Sequence, residues 1–341
     1  MNKKADAIII GAGVIGSSVA FELAKRGYKT LNIDKLPTSG YGSTSNSCAI
    51  VRAHYSTWDG VAMAYEGFFY WDDWENYLGV EDERGMIKYM KTGSIMFKLQ
   101  GEDHSKKSLK FFEEIGVEHE IWDLEKLKER MPIYSHDQFD GTTRPDDDEH
   151  FFDKTGKKIE GAIFTPGSGY VSDPQLSSHN LQVAAEANGG EFLFNNEIKE
   201  IRQEDGKVLG VTLKTGEQID APIVVNVAGP HSFVINRMAG VEEEMNIKTK
   251  ALRHEVHHVP SPEGFDFEKD GFHTSDGDNY IYFRPETGNT ILIGSEDPLC
   301  DPKEWIEDPD NYNNEVTESQ WRAQVYRCAR RIPDLKIPSR T

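Results

Sequence analysis

Three glycines near the amino terminus carry the clearest chemistry in the chain. Gly11-Ala12-Gly13-Val14-Ile15-Gly16 follows the short apolar run Ala5–Ile10 and opens a helical pattern over Val14–Arg26. In a strand–turn–helix the first glycine permits the tight turn, the second lets the backbone approach a pyrophosphate, and the third packs helix on strand. The helix N-terminus then turns its free amides and the positive end of its dipole toward the phosphates. A second strand, Lys29–Ile33, ends in Asp34, about twenty residues beyond Gly13, where a carboxylate can accept hydrogen bonds from both ribose hydroxyls. Asp34 also opposes a 2′-phosphate, and hence NADP. Strand, glycines, helix, strand and acid together point to an adenine dinucleotide.

The tract Thr38–Ser47 is nearly all Ser, Thr, Gly and Asn. It supplies amides and hydroxyls with little bulk, which suits a second line of contact along a polyol and diphosphate. It equally suits a flexible linker, and composition does not separate the two.

Two other groupings resemble metal sites. His254-Glu255-Val256-His257-His258 satisfies HExxH, which binds zinc only when a helix brings both histidines to one face. This segment alternates and is followed by Pro260, so it reads as a strand. A strand sets His254 and His258 about 13 Å apart, too far to share a metal. Asp146-Asp147-Asp148-Glu149 lacks the alternating ligands and turn glycine of a calcium loop and reads as a solvated loop. No metal site is expected.

The elements that must hold these groups follow from periodicity. Thr57–Leu78 is helical and rich in aromatics. Thr92–Leu99 is strand-like and Lys106–Ile115 helical. Asp173-Pro174 caps a helix over Gln175–Asn188 that stops at Gly189-Gly190. Glu191–Arg202 and Lys207–Leu213 form a hairpin, and Ile223–Val227 is a fully buried strand ending in Ala228-Gly229-Pro230. Ala251–Val259 is a strand, Tyr280–Phe283 and Thr290–Ile293 a hairpin, and Glu315–Arg331 the last helix. Parallel-type strands and helices at the front with hairpins later give an α/β fold of two interleaved domains.

The chain has 341 residues with 38 Lys and Arg against 58 Asp and Glu, a net charge of −20. That surface repels nucleic-acid backbones and anionic lipid headgroups. No apolar run reaches the roughly 18 residues of a membrane span, so no integral membrane segment is expected. Cys48, Cys300 and Cys328 are odd in number and form no CxxC pair, which suits a reducing, cytoplasmic setting.

The motifs Gly11–Gly16, Asp34-Lys35, Gly42–Ser47, Ile50-Val51-Arg52, Gly169–Pro174, Val225–Pro230, Tyr280–Pro285 and Ile293-Gly294 resemble, in order, the D-amino-acid oxidase/sarcosine oxidase superfamily of FAD enzymes. The sarcosine oxidase/dimethylglycine dehydrogenase branch is the most similar. The resemblance implies a Rossmann-like FAD-binding domain from 1–85 and 166–244, an interleaved antiparallel β-rich substrate domain from 86–165 and 245–310, and a C-terminal remnant, 311–341, returning to the FAD domain. It implies that Gly11, Gly13, Val14, Ile15, Gly16, Asp34 and Lys35 hold the ADP half of FAD. Ser43, Thr44 and Ser45 would meet the pyrophosphate, ribityl chain and flavin ring. Ile198 would meet the adenine, and Ala228 and Gly229 would close the cleft. Arg52 matches the arginine that pairs with a substrate carboxylate, and Tyr280 or Tyr282 would face the substrate. The implied reaction is oxidation of the C–N bond of an amino acid or N-methyl amino acid by hydride transfer to flavin.

Three departures qualify the resemblance. Ser45 replaces a histidine, and the loop carries no histidine for a covalent flavin. Leu292 replaces the lysine credited with oxygen activation, which points to a carrier protein or quinone as electron acceptor. The chain also stops at Ser339-Arg340-Thr341, short of a Gly-rich return to the flavin, and so resembles a truncated member. The competing readings are a non-catalytic flavoprotein fragment or subunit and, more distantly, a zinc hydrolase on His254 and His258.

Overall fold

Ala7–Ile10 is buried at every residue, which a strand achieves only when both faces of its sheet are covered. It is an inner strand of a four-stranded parallel sheet ordered Glu191–Leu193, Thr30–Ile33, Ala7–Ile10, Ile223–Asn226. Ile9 points to one side, toward Ala20 and Phe21 of the helix Val14–Lys25 and Leu181 and Ala184 of the helix Pro174–Ala187. Ile8 and Ile10 point to the other, toward Val211, Leu213 and Ile219. The expected cap is present: the Asp173 side chain accepts from the Leu176 amide, with Pro174 in the first turn. The computed structural model describes residues 3–139 and 141–339. Met1, Asn2, Asp140, Arg340 and Thr341, which fall in the segments 1–85, 86–165 and 311–341, lie outside the described residues.

Several elements differ from the sequence reading. Glu191–Arg202 is not one strand. Glu191–Leu193 joins the parallel sheet, the chain turns through Asn195 (φ 56°), and Ile198–Glu204 enters a separate sheet with Lys207–Leu213, Gln218–Asp220 and Lys3–Lys4. Ile223–Asn226 is not fully buried: it is an edge strand, with Ile223 47% exposed. The aromatic helix is two helices, Trp58–Asp72 and Trp74–Leu78, separated at Asp73. Ala251–Val259 splits into Ala251–Leu252, paired with Trp305–Ile306, and Val256–Pro260.

The largest sheet runs Val256–Pro260, Thr290–Ser295, Ile281–Glu286, His273–Asp276, Ser94–Leu99, Lys154–Thr165, Glu120–Asp123. Side chains alternate across it. Ile95, Phe97, Ile281, Phe283, Ile291 and Ile293 face an aromatic core shared with Tyr134, Phe267 and, from the helix Glu318–Arg331, Val325 and Cys328. That helix therefore lies against the large sheet, not the parallel one. Its apolar stripe matches the aromatic core, so the expected return of segment 311–341 to the parallel-sheet side does not occur. The opposite face carries Ser94, Met96, His273, Ser275, Tyr282, Arg284, Leu292 and Gly294.

A small three-stranded sheet ties the polar tract to the rest. Ile50–Val51 pairs with Gly169–Val171, which pairs with Tyr89–Met90. Gly169 is required there, because a Cβ would lie 1.9 Å from the Met90 carbonyl oxygen.

Beneath the last helix, fully buried Arg331 donates to Asp276 (2.8 Å) and Asp278 (3.0 Å), and Arg327 and Arg144 both donate to Asp301 (2.7 Å each). Removing one partner of a buried ion pair leaves an uncompensated charge and costs about 3–5 kcal/mol. Arg331→Met should lower stability by that amount in urea titration. A loss below about 1 kcal/mol would show that the cluster is not holding the helix to the sheet.

Candidate functional site

A cavity of about 320 Å³ opens at the carboxyl ends of the parallel strands. Several chain segments meet around it. The Gly-rich turn contributes Gly11 and Gly13, the end of the second strand Asp34 and Lys35, and the polar tract Ser43 and Thr44. Ile198 comes from the crossover, and Ala228 and Gly229 follow the edge strand. Val14, Ile15 and Gly16 form the first turn of the adjoining helix but are not in the cavity wall. Ser45 is not in the wall either. Its hydroxyl donates to the carbonyls of Tyr41 and Gly42, so it folds the tract on itself.

The glycines have distinct reasons to be glycine. Gly11 has φ +109°, and a Cβ there would lie 2.5 Å from the Val227 carbonyl oxygen. At Gly16 a Cβ would lie 1.9 Å from the Gly11 carbonyl oxygen, which sets how closely the helix sits on the turn. At Gly13 the nearest protein atom to a Cβ is the Thr44 hydroxyl at 3.1 Å. The same hydroxyl accepts from the Val14 amide (3.1 Å), whereas the Ile15 and Gly16 amides meet no protein acceptor among the described residues. Free amides at a helix N-terminus are ready donors to an anion.

Asp34 accepts from the Ala12 amide (2.7 Å) and the Leu36 amide (2.9 Å), one bond to each carboxylate oxygen. Each oxygen keeps a second lone pair, so the group can still accept from a ribose hydroxyl. Lys35 is not free. Its ammonium contacts His231 Nε2 (2.9 Å) and the Asp310 carboxylate, and His231 contacts Asp310 at 3.0 Å. Burial pushes the Asp310 carboxyl up, but hydrogen bonds from Lys35 and His231 and their charges outweigh it and hold it below its ordinary pKa. Sequence reasoning missed the contributions of Asn196, Glu197, His231 and the segment 307–310 to this cavity. They come from distant segments, and only Gly229-Pro230 beside His231 gave any local signal.

Arg52, Tyr280 and Tyr282 lie apart from that cavity. Arg52 follows the strand Ile50–Val51, donates to the His54 carbonyl and stacks on Tyr55, ring centroid 4.4 Å from its guanidinium. No carboxylate lies within 4.0 Å of it among the described residues, so the structural ion pair that a buried arginine could have made is not formed. Tyr282 points from the large sheet toward the polar tract and shares a 3.1 Å hydrogen bond with Cys48 Sγ, while Arg284 donates to the Cys48 carbonyl at 2.8 Å. Burial raises the Tyr282 phenol well above the usual tyrosine range, so it stays neutral. Tyr280 is not on the strand. It precedes Ile281–Glu286 with φ 52°, packs beside Gly141, and lines a second cavity of about 570 Å³.

Next to Arg52, His54 and His273 stack with centroids 5.7 Å apart, and His273 Nδ1 bonds Ser94 Oγ at 2.7 Å. Burial, reinforced by the Arg52 and Arg284 charges, pushes His273 down to about 3, and His54 falls well below its ordinary value for the same first reason. Both rings are neutral. Arg52 therefore holds its positive charge next to uncharged neighbours.

The metal-like groupings are used otherwise. Val256–Pro260 is a strand, as the alternation predicts. Glu255, buried, accepts from Arg253 (2.7 Å) and from the Thr317 amide and hydroxyl (2.7 and 2.8 Å), so it cannot activate a water. Asp146 pairs with Arg322 at 2.7 Å. Among the described residues no three His, Cys, Asp or Glu side chains gather as metal ligands, and no helix is long and apolar enough to cross a membrane.

Comparison with known proteins agrees with this architecture. The mouse mitochondrial pyruvate dehydrogenase phosphatase regulatory subunit is 24% identical over 299 residues, 86% of this chain and 30% of that protein. The chain thus spans under a third of that relative's length. Glycine oxidase of Geobacillus kaustophilus is 23% identical over 352 residues, 98% of this chain and 79% of the enzyme. The crystal structure of L-proline dehydrogenase from P. horikoshii superposes with a TM-score of 0.77 at 21% identity, over 98% of this chain and 78% of that one. The sequence profile described as FAD dependent oxidoreductase matches residues 6–341. With a dinucleotide-type cavity at the carboxyl edge of a parallel sheet and a profile match over almost its whole length, the chain belongs to the DAO family of FAD-dependent oxidoreductases.

Proposed function

We propose that the protein oxidises the C–N bond of an amino acid or N-methyl amino acid, with hydride passing to FAD and the imine product then hydrolysing. The observation that carries this reading is Arg52, a cation with no carboxylate within 4.0 Å among the described residues, set a few residues after the polar tract on the side of the Tyr282 face of the large sheet. A planar guanidinium matches a carboxylate bidentately. The names of two relatives, a glycine oxidase and an L-proline dehydrogenase, support the same substrate class.

The cavity chemistry fits FAD. Free amides at the helix N-terminus suit the pyrophosphate, the remaining lone pairs of Asp34 suit a ribose, and Ile198, Ala228 and Gly229 leave an apolar slot for adenine. Bound there, FAD supplies the two-electron acceptor. The protein's own part is to fix the carboxylate through Arg52 and to present the neutral Tyr282 hydroxyl. We assign 1–85 and 166–244 to the FAD-binding domain and 86–165 and 245–310 to the substrate domain, with the helix of 311–341 on the latter. Buried Leu292, on the same face as Tyr282, offers no cation near the reacting centre, which supports a carrier protein or quinone as electron acceptor. A cytoplasmic location completes the reading.

A second reading has one specific support: the mouse relative is a regulatory subunit. A non-catalytic flavoprotein subunit would show a stable flavin spectrum that no amine bleaches, and the enzyme a spectrum that bleaches anaerobically with substrate.

Asp34→Ala should weaken FAD binding roughly ten- to a hundredfold, the loss of a charge-assisted bond worth about 1.5–3 kcal/mol. Because Asp34 also holds the Ala12 and Leu36 amides, the apoprotein should melt lower as well. Titration of apoprotein with FAD measures the first effect, and unchanged affinity would remove Asp34 from the site.

Arg52→Met should cost about 2–5 kcal/mol of substrate binding, since it leaves a carboxylate unpaired. Flavin content and melting temperature should barely move, as Arg52 makes no ion pair among the described residues. Anaerobic flavin reduction by N-methyl and D-amino acids in wild type and variant is the measurement. Equal rates would return Arg52 to a structural role.

A further inference from the structure

We infer that Glu296 receives the amine of the substrate, so that Arg52 and Glu296 together select a zwitterion; the inference rests on the amine-oxidation reading above. Glu296 lies two residues beyond Gly294, on the same side of the sheet. The Tyr282 ring covers bare Gly294, where a Cβ would come within 2.2 Å of the ring, and Glu296 is the next position along that face. Its amide donates to the Tyr280 carbonyl (2.8 Å), and one carboxylate oxygen accepts from Ser275 Oγ (2.5 Å). The other oxygen has no protein partner, and no cation lies within 4.0 Å among the described residues.

The placement joins the two halves of a recognition site. Glu296 lines the 570 Å³ cavity with Met96, His104, Ser275 and Tyr280, and Lys157 lies on its wall without pairing with it. Arg52 does not line that cavity itself, but the two are linked along one sheet face: Ser275, which holds Glu296, lies two residues from His273, whose ring stacks on His54 next to Arg52, and the Arg52 charge favours the ionised form of Glu296. Glu296 is an exposed residue, yet the protein packed near its carboxyl, helped by the Asp276 charge, raises its pKa above its ordinary value against the Ser275 hydrogen bond and the Arg52 charge. A carboxylate held on one oxygen and unpaired on the other thus shares this side of the sheet with a guanidinium that, among the described residues, has no carboxylate within 4.0 Å. An α-ammonium beside an α-carboxylate satisfies both at once.

The test uses two isosteric ligands on FAD-loaded protein. 2-Aminoisobutyrate carries an ammonium and a carboxylate on a carbon with no hydrogen to lose, so it binds without turnover. Pivalate replaces that ammonium by a methyl group. Flavin absorbance perturbation and calorimetry give Kd for each. In wild type the zwitterion should bind roughly ten- to a hundredfold tighter than pivalate. Glu296→Gln should remove that preference while leaving pivalate affinity unchanged, Ser275→Ala should reduce it in part, and Arg52→Met should weaken both ligands. A preference that survives intact in Glu296→Gln, with flavin content and melting temperature as in wild type, would overturn the assignment and leave the amine-oxidation reading standing. Failure of that reading shows separately, as wild-type flavin that no amino acid reduces and neither ligand perturbs.

Discussion

Asp34 is the point on which the dinucleotide cavity depends. Its side chain takes the amides of Ala12 and Leu36, its own amide donates to the Leu193 carbonyl, and its carbonyl accepts from Asn196. One residue thus fixes the Gly-rich turn, the exit of the second strand and the crossover that carries Ile198. A carboxylate at a helix N-terminus is favourable in itself, and here it also sets the spacing of three cavity walls. The Gly11–Gly16 contact is the steric counterpart: at 1.9 Å from a would-be Cβ, the Gly11 carbonyl leaves no room for any other residue at position 16. Attraction through Asp34 and exclusion at Gly16 define the same opening from two directions.

The second constraint is the mooring of the polar tract to the large sheet. Cys48 is held from above by Tyr282 through its sulfur and by Arg284 through its carbonyl. From below, Ile50–Val51 is stitched to Gly169–Val171. The tract therefore spans between the cavity wall at Ser43 and Thr44 and the sheet face that carries Ser275 and Glu296. That is why residues so far apart in sequence as His273 and Glu296 both feel the Arg52 charge.

What the sequence made legible was local. The glycine spacing, the Asp34 position, the Asp173-Pro174 cap and the strand character of Val256–Pro260 are each decided within a few residues, and a few residues suffice to read them. The split at 194–197 was not legible, because Phe194 and the flanking apolar residues continue an alternating pattern across it; only Asn195, in the left-handed region, turns the chain into another sheet. Lys154–Thr165 was missed because its first half, Lys154–Glu160, is mostly polar and exposed and, over Lys154–Lys158, pairs with the short strand Asp137–Phe139. The segment 307–310 could not be placed, since its hold on Lys35 and His231 depends on tertiary contact alone. Tyr280 and Tyr282 read alike in sequence, yet one is a turn residue beside Gly141 and the other a strand residue over Gly294.

Charge distribution gives the last link between fold and chemistry. A chain with a net charge of −20 has carboxylates to spare, and most of its buried cations are matched: Arg331 by Asp276 and Asp278, Arg327 and Arg144 by Asp301, Arg253 by Glu255. Arg284, which faces the polar tract as Arg52 does, is neutralised by Glu286 at 2.9 Å and stacks on Tyr170 at 4.2 Å. Arg52 alone in that neighbourhood has a carbonyl and an aromatic ring but no counter-ion. Its two histidine neighbours, driven neutral by burial, neither add to its charge nor compete for an anion. In a protein with so many acids, the sheet face beside the two neutral imidazoles is built from Ser94, Met96 and His273, and Glu296, farther along that side, makes no ion pair with Arg52. The vacancy in charge at Arg52 is thus a property of the strand pattern, built by the same alternation that fills the opposite face with Ile95, Phe97 and Phe283.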